Sequence, residues 1–382
     1  MLPLCGASAK AEGLGVTARY VADVWHGNGG LRDGSAYLDD ARLQVNADLD
    51  KLFGTPGTLF VFARATSSSD FAGRFGGEFQ KISNIDHAPS VHLFEAWYER
   101  PLGESVSVRT GLYDLNSEFD VTPPAALFLN SSQGIGPDFA QTGQTGPSIF
   151  PVTSLGARLA WTHDGITLRA AVLDGVPGDP ADTRRTVISL GKGDGALLAG
   201  EMAWSAGAFA GTLGAWHYTA AFDDLLAITP AGTPVRRRDN SGGYSSITAR
   251  FTPPDSSLAV DMYLRGGIAQ SAINTLSHYV GGGVVFTGLL PVRPDDQFGI
   301  SAGVATAGRP ARTAAGLSRN EIEIEATYRA KVTSWLTLQP DVQLVLHPGL
   351  DPSARRLIAV GLRFEIDPRA LVEGTHPPKA SQ

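Results

Sequence analysis

Residues 321–332 read EIEIEATYRAKV, and their alternation decides the fold. One face carries Ile322, Ile324, Ala326, Tyr328, Ala330 and Val332. The other carries Glu321, Glu323, Glu325, Thr327, Arg329 and Lys331. A period of two with one apolar and one polar face is a β-strand signal. The next stretch repeats it: Leu336, Leu338, Pro340, Val342, Leu344 and Leu346 oppose Thr337, Gln339, Asp341 and Gln343. So does Leu357–Ile366, where Ile358, Val360, Leu362, Phe364 and Ile366 alternate with Ala359, Gly361, Arg363 and Glu365. Near the N-terminus, Ala41, Leu43, Val45, Ala47 and Leu49 oppose Asp40, Arg42, Gln44, Asn46 and Asp48. These runs reach about 10–13 residues, twice the globular mode of ~5–6 and close to the ~9–11 of a tilted membrane strand. Pro340 has no N–H to give, so a bulge or local unpairing is expected there.

Carried along the chain, the pattern predicts strands at 12–25, 35–50, 57–66, 90–100, 105–113, 154–163, 166–174, 195–205, 208–219, 243–252, 257–268, 278–287, 297–306, 320–333, 335–347 and 354–366. Residues 185–190 are placed in a loop. The count is even, as single-chain bacterial barrels require. Links at 51–56, 101–104, 164–165, 206–207, 253–256, 288–296 and 334 are short, whereas 67–89, 114–153, 175–194, 220–242 and 307–319 are long. Long loops at one end and short turns at the other suit an outer-membrane barrel. Closure removes the exposed edges that so many long strands would leave. The expectation is an all-β, 16-stranded antiparallel transmembrane β-barrel in a bacterial outer membrane, with polar faces lining a water-filled lumen.

Composition agrees. Charged residues make up 18% of the 382 and glycines number 45, against norms of ~25% charged and ~7% Gly. With 43% hydrophobics the chain is not a disordered, highly charged one. A net charge of −7 argues against a nucleic-acid surface. The best candidate for a spanning helix, the uncharged Met202–Phe222, is broken by Gly207, Gly211 and Gly214 and reads as two strands instead. Ala7-Ser8-Ala9 and Ala9-Lys10-Ala11 have the form of a signal cleavage site. Residues 1–11 therefore read as a secretory-signal remnant containing the single cysteine, Cys5. Residues 12–366 read as the barrel and 367–382 as a C-terminal extension. The eight histidines have no metal-ligand spacing and no nucleophile motif appears, so no metal, cofactor or enzymatic activity is expected. Glu321, Glu323 and Glu325 are expected to be lumen charges rather than a cation site. Arg236–Arg238 and Arg355-Arg356 fall in or near outer loops, where lipid phosphates or solvent would meet them.

Several stretches together resemble the carbohydrate-selective porins of the OprB family. They are HLFEAWYERPLGESVSVRTGLYDLNSEFD (92–120), ALFLNSSQGIGPDFAQTGQTGPSIFPVTSLGARL (126–159), HDGITLRAAVLDGVPGDP (163–180), GLLPVRPDDQFGI (288–300), TSWLTLQPDVQLVLHPG (333–349) and AVGLRFEID (359–367). The resemblance implies a sixteen-stranded barrel passing sugars down their gradient. It departs at the end, where PRALVEGTHPPKASQ follows the last strand instead of a terminal aromatic.

Residues 114–153 are then the loop that folds inward and narrows the barrel; loops of this length are usually functional. Facing it, Leu93, Glu95, Trp97 and Glu99 of the fourth strand and Ser107, Arg109, Gly111 and Tyr113 of the fifth are assigned to the lumen. A sugar presents hydroxyls on its rim and C–H groups on its faces. Charged groups suit the rim, and aromatic rings suit the faces. Arg64, Glu95, Trp97, Arg109, Asp114, Asn116 and Phe119 supply both and are the candidate contacts. A plainer alternative has Glu95 and Arg109 pair across the lumen and pin the loop. Another has Trp97 facing lipid, one register step away. Expected partners are glucose or small oligosaccharides and outer-membrane lipid, with no nucleic acid; monomer and homo-oligomer both stay open. The competing functions are a non-conducting barrel that anchors or binds partners, a barrel hydrolase, and a soluble carbohydrate-binding protein.

Overall fold

Each of the sixteen predicted stretches holds a strand, though the second ends at Asp48 and Leu49 instead opens a short helix, Leu49–Phe53. The computed structural model describes residues 9–11, 13–67, 69–254 and 256–368. Sixteen long strands follow in order: β1 Leu14–Gly30, β2 Gly34–Asp48, β3 Thr58–Thr66, β4 Ser90–Pro101, β5 Val106–Tyr113, β6 Ser154–His163, β7 Ile166–Asp174 and β8 Ala196–Ala206. Then come β9 Phe209–Tyr218, β10 Ser241–Phe251, β11 Ala259–Ala269, β12 Leu276–Thr287, β13 Gln297–Ala307, β14 Asn320–Lys331, β15 Leu336–Leu346 and β16 Arg355–Ile366. Each pairs antiparallel with its sequence neighbour, and β16 returns to pair with β1, from Ile366↔Tyr20 to Arg355↔Gly30. The barrel is closed. A short segment, Ala9–Ala11, adds antiparallel to the start of β1. Cys5 and residues 369–382 lie outside the described residues.

Two elements run beyond expectation. β1 continues to Gly30, and the loop between β9 and β10 holds its own hairpin, Phe222–Ile228 with Pro234–Arg237. At Pro340 the register holds without a bulge, Thr327↔Asp341 and Ala330↔Leu338 sharing one alignment, but the ladder toward β14 is unpaired between them. The missing N–H removes the bond on that side only, and Pro340 still aligns with Leu362 on the other.

The outer wall is apolar. Leu43, Leu264, Val280, Ile324, Val342 and Val360 all point away from the lumen and are exposed. Toward the short-turn end an aromatic row crosses three strands, Phe286↔Phe298↔Tyr328. Such rings mark a membrane interface in outer-membrane barrels. The long loops 67–89, 114–153, 175–195 and 219–240 all leave from the other end.

The core sits inside the barrel. Loop 67–89 buries Phe71, Phe75, Ile82 and Ile85 against Trp25, Leu38 and Leu357 of the wall. Loop 114–153 buries Leu115, Phe119 and Phe139 against Trp216, Tyr218 and Tyr244. Phe139 stacks on Trp216 with centroids 5.1 Å apart and planes 2° from parallel.

Candidate functional site

The acidic ladder of β14 is the anchor of both inner loops. The Glu321 carboxylate accepts the backbone N–H groups of Phe79 (3.0 Å), Gln80 (2.7 Å) and Gly349 (2.6 Å). Glu325 accepts those of Leu129 (2.6 Å) and Asn130 (3.1 Å). Between them Glu323 accepts from the Gln133 side chain at 3.1 Å. All three face the lumen as expected, but they lie buried beneath the loops rather than open to the channel. Strand alternation sets them on one face, so their spacing matches the successive loop segments they bind. Three strands along the same wall, Arg265 of β11 bonds Asp120 bidentately, at 3.1 and 2.7 Å, and also donates to Asp138. Asn130 donates to the side chain of Gln343 at 3.0 Å. The loops are therefore anchored along β8–β16, and they also meet the β2–β7 wall, at Leu38, Glu95 and Arg158.

That wall is charged. Register places Arg19 opposite Arg42 and Arg42 opposite Arg64, a row of three arginines across adjacent strands. Asp40 sits between, accepting from Arg42 at 2.5 Å and from Arg64 at 3.0 and 2.5 Å. The Arg64 guanidinium also lies 4.1 Å from the ring centre of Phe150 and 4.9 Å from that of Phe94. One step along, Arg109 lies opposite Arg158. Arg109 donates twice to Glu99, at 3.0 and 2.6 Å. Arg158 holds both oxygens of Glu118 from the inner loop at 2.8 Å. It also reaches Glu99 at 3.1 Å.

Trp97 faces the lumen, so the lipid-facing alternative falls. Its indole N–H donates to Glu95 at 3.0 Å, Phe60 stacks beside it at 4.9 Å, and the Arg109 guanidinium lies 3.8 Å over its ring. Glu95 also accepts the backbone N–H of Asp114 at 3.2 Å. Asp114 in turn accepts from Asn116 N–H at 3.0 Å and starts the short turn Leu115–Ser117. Glu95, Trp97, Arg109 and Asp114 thus form one connected cluster, with Arg64 held beside it by Asp40, Phe94 and Phe150.

The remaining two candidates act differently. The Asn116 amide is spent on the carbonyls of Phe119 (3.0 Å) and Gly134 (3.3 Å). Phe119 is 0% exposed and presents no ring to the lumen. The pinning alternative is also revised in detail, because Arg109 hydrogen-bonds Glu99 and not Glu95. Leu93 departs from its assignment to the lumen. A bulge between Phe62 and Ala63 shifts the β3–β4 register, so His92 and Phe94 turn inward while Leu93, 41% exposed, turns out. Asp40, Arg42, Glu99, Glu118 and Arg158 were not among the candidates. Arg42 and Glu99 stood on polar faces of alternating strands, but only register brings these charges together.

A closed barrel with an apolar belt, loops folded inward and a charged passage wall is an outer-membrane porin, a channel and not an enzyme. The family model of the carbohydrate-selective porins, OprB family, matches residues 32–367. "Porin B" of Pseudomonas aeruginosa is 20% identical over 374 residues, covering 86% of this chain and 81% of that protein. A high-pH structure of Pseudomonas putida OprB superposes with a TM-score of 0.80 at 18% identity, covering 93% of this chain and 94% of that one. More distant is the outer-membrane channel DcaP of Acinetobacter baumannii, with a TM-score of 0.54 at 10% identity, covering 95% and 99%. The chain belongs to the OprB family of carbohydrate-selective porins, and its place is the bacterial outer membrane.

Proposed function

We propose that sugars cross between the β2–β7 wall and the inner loops, and that Arg64, Glu95, Trp97, Arg109 and Asp114 contact them on the way. The observation that carries this reading is the Arg109–Trp97 pair, an aromatic face and a guanidinium held at 3.8 Å, each bonded to a carboxylate. Ring and charge together match the two chemistries of a sugar, apolar face and hydroxyl rim. The glutamates keep cation and ring fixed before the sugar arrives, which reduces the ordering cost of binding. Asn116 and Phe119 set the shape of the loop around this surface. The substrates are glucose or small neutral oligosaccharides, because opposite charges on this wall stand side by side and leave no single-sign field.

The test is single-channel current in a planar bilayer during titration with glucose and maltooligosaccharides. Saturable block is expected, and Arg109→Ala and Trp97→Ala should each weaken it about tenfold, the worth of roughly one charged hydrogen bond or one stacked ring. Conductance with no sugar block would overturn the site.

A second reading rests on Arg158, whose two bonds to Glu118 tie the wall to the inner loop. On that reading the charges only hold the loop. Arg158→Ala would then raise conductance and leave half-blocking sugar concentrations of the open channel unchanged, whereas Trp97→Ala would do the reverse.

A further inference from the structure

The seam where the barrel closes carries a feature that sugar passage does not use. At the outer end of β16, Arg355 aligns with Gly30 and Ile358 with Asn28, so β16 holds one extra residue there. This is a bulge, a device that re-aims side chains. Gly29 faces it with φ of +102°, and a Cβ at Gly29 would lie 1.9 Å from the Arg356 carbonyl oxygen. Only glycine fits. The result is that Arg355 and Arg356 are both exposed, although they are consecutive. Together with Asn28 and Ile358 they line one open cleft.

The cleft opens on the outside of the barrel. Leu357 and Ala359 point into the interior and are fully buried, while Ile358 and Val360 point outward at 39% and 57% exposure. Below the cleft, β1 passes from Asn28 and His26 to the exposed Val24. Polar and cationic groups therefore stand directly above the apolar belt, where lipid headgroups meet acyl chains. Arg355 pairs with Asp33 at 2.5 Å, both about half exposed or more, a rim pair that a stronger anion can share. Arg356 has no ion-pair or hydrogen-bond partner among the described residues.

We propose that this cleft holds the phosphate of an outer-leaflet lipid, with Arg356 and Arg355 as its cations, Asn28 as a neutral donor and Ile358 and Val360 against the acyl chain. Guanidinium groups suit phosphate because they offer several donors in one plane. An apolar wall beneath two arginines selects an amphiphile over a free ion. The site is separate from the passage and does not depend on which sugar crosses.

The experiment uses the full chain in detergent, with heat-modifiable gel mobility as the check that each variant is folded. Native mass spectrometry would count bound lipid in titrations with lipid A, with its dephosphorylated form and with inorganic phosphate. Wild type should bind lipid A at least about tenfold more tightly than the dephosphorylated form, as expected for charged hydrogen bonds. Arg355→Ala/Arg356→Ala should lose that preference with sugar block and conductance unchanged, and Arg236→Ala/Arg238→Ala in the loop hairpin should keep it. Retention of the preference in the seam variant would overturn the proposal. Displacement of lipid A by inorganic phosphate at equal concentration would overturn the lipid assignment, leaving a small-anion site.

Discussion

Arg109 spends its donors on Glu99 and rests its flat face on Trp97, so its charge is held in place while the ring below stays rigid. Lysine would keep the charge but lose both the fork and the stack. Arg109→Lys is therefore expected to weaken sugar block nearly as much as Arg109→Ala; block equal to wild type in the bilayer would show that charge alone matters. A second residue-scale prediction concerns Asp224 in the outer hairpin. Its carboxylate accepts the N–H of Ala227 at 2.7 Å, the guanidinium of Arg237 at 2.5 Å and the N–H of Leu226 at 2.8 Å. These bonds favour the ionised form and bring its pKa from 3.8 down to about 2. A depressed carboxylate pKa stabilises the fold above the unfolded value and loses that effect as pH falls through the folded one. Amide exchange at Leu226 and Ala227 should stay slow, after correction for intrinsic rate, down to about pH 4 and speed up as pH falls toward about 2. Asp224→Asn should remove this pH step.

At the scale of elements, the strands could be read from sequence because their signal is local. One residue's neighbour at i+2 shares its face, as in the runs Ala41–Ala47 and Ile358–Ile366. What could not be read is where a strand breaks its own parity. His92, Phe94 and Glu95 all turn inward around the β4 bulge, and nothing in HLFE marks the position. The role of an aromatic within a loop is equally hidden. Phe119 and Phe139 look alike in sequence to a sugar platform, yet both are buried where the inner loop needs a core. The anchoring of that loop gives a prediction of its own. Glu325→Ala would strand the buried N–H groups of Leu129 and Asn130, each costing about 1–3 kcal/mol. The loop should loosen while the barrel persists. Larger, noisier single-channel conductance with unchanged heat-modifiable mobility is expected; unaltered conductance would show that the Phe139–Trp216 stack suffices to hold the loop.

For the whole molecule, the anchoring of the inner loops against the barrel wall follows from contacts far apart in sequence. Glu321 binds residues some 240 positions away, and Arg363 of the last strand bonds Asp23 of the first at 2.7 and 2.8 Å. No local pattern reports such pairings, which is why the sequence singles out residues of β3–β5 and passes over Asp40, Arg42, Glu118 and Arg158 around them. The passage proposed along β2–β7 makes a test of the architecture. Arg42 of β2, its side chain 30% exposed, and Gln343, buried under the inner loops, both lie on lumen faces. Leu264 lies on the outer belt. In a Cys5→Ser background, a charged, water-soluble thiol reagent applied to protein in lipid vesicles should modify Arg42→Cys rapidly and lower conductance. It should leave Gln343→Cys and Leu264→Cys untouched, the first shielded by protein and the second by lipid. Transfer to denaturant should make all three react at one rate. If Gln343→Cys reacted as fast as Arg42→Cys in the folded barrel, the passage would run along β14–β16 instead, and the sugar contacts proposed for Arg64, Glu95, Trp97, Arg109 and Asp114 would lose their basis.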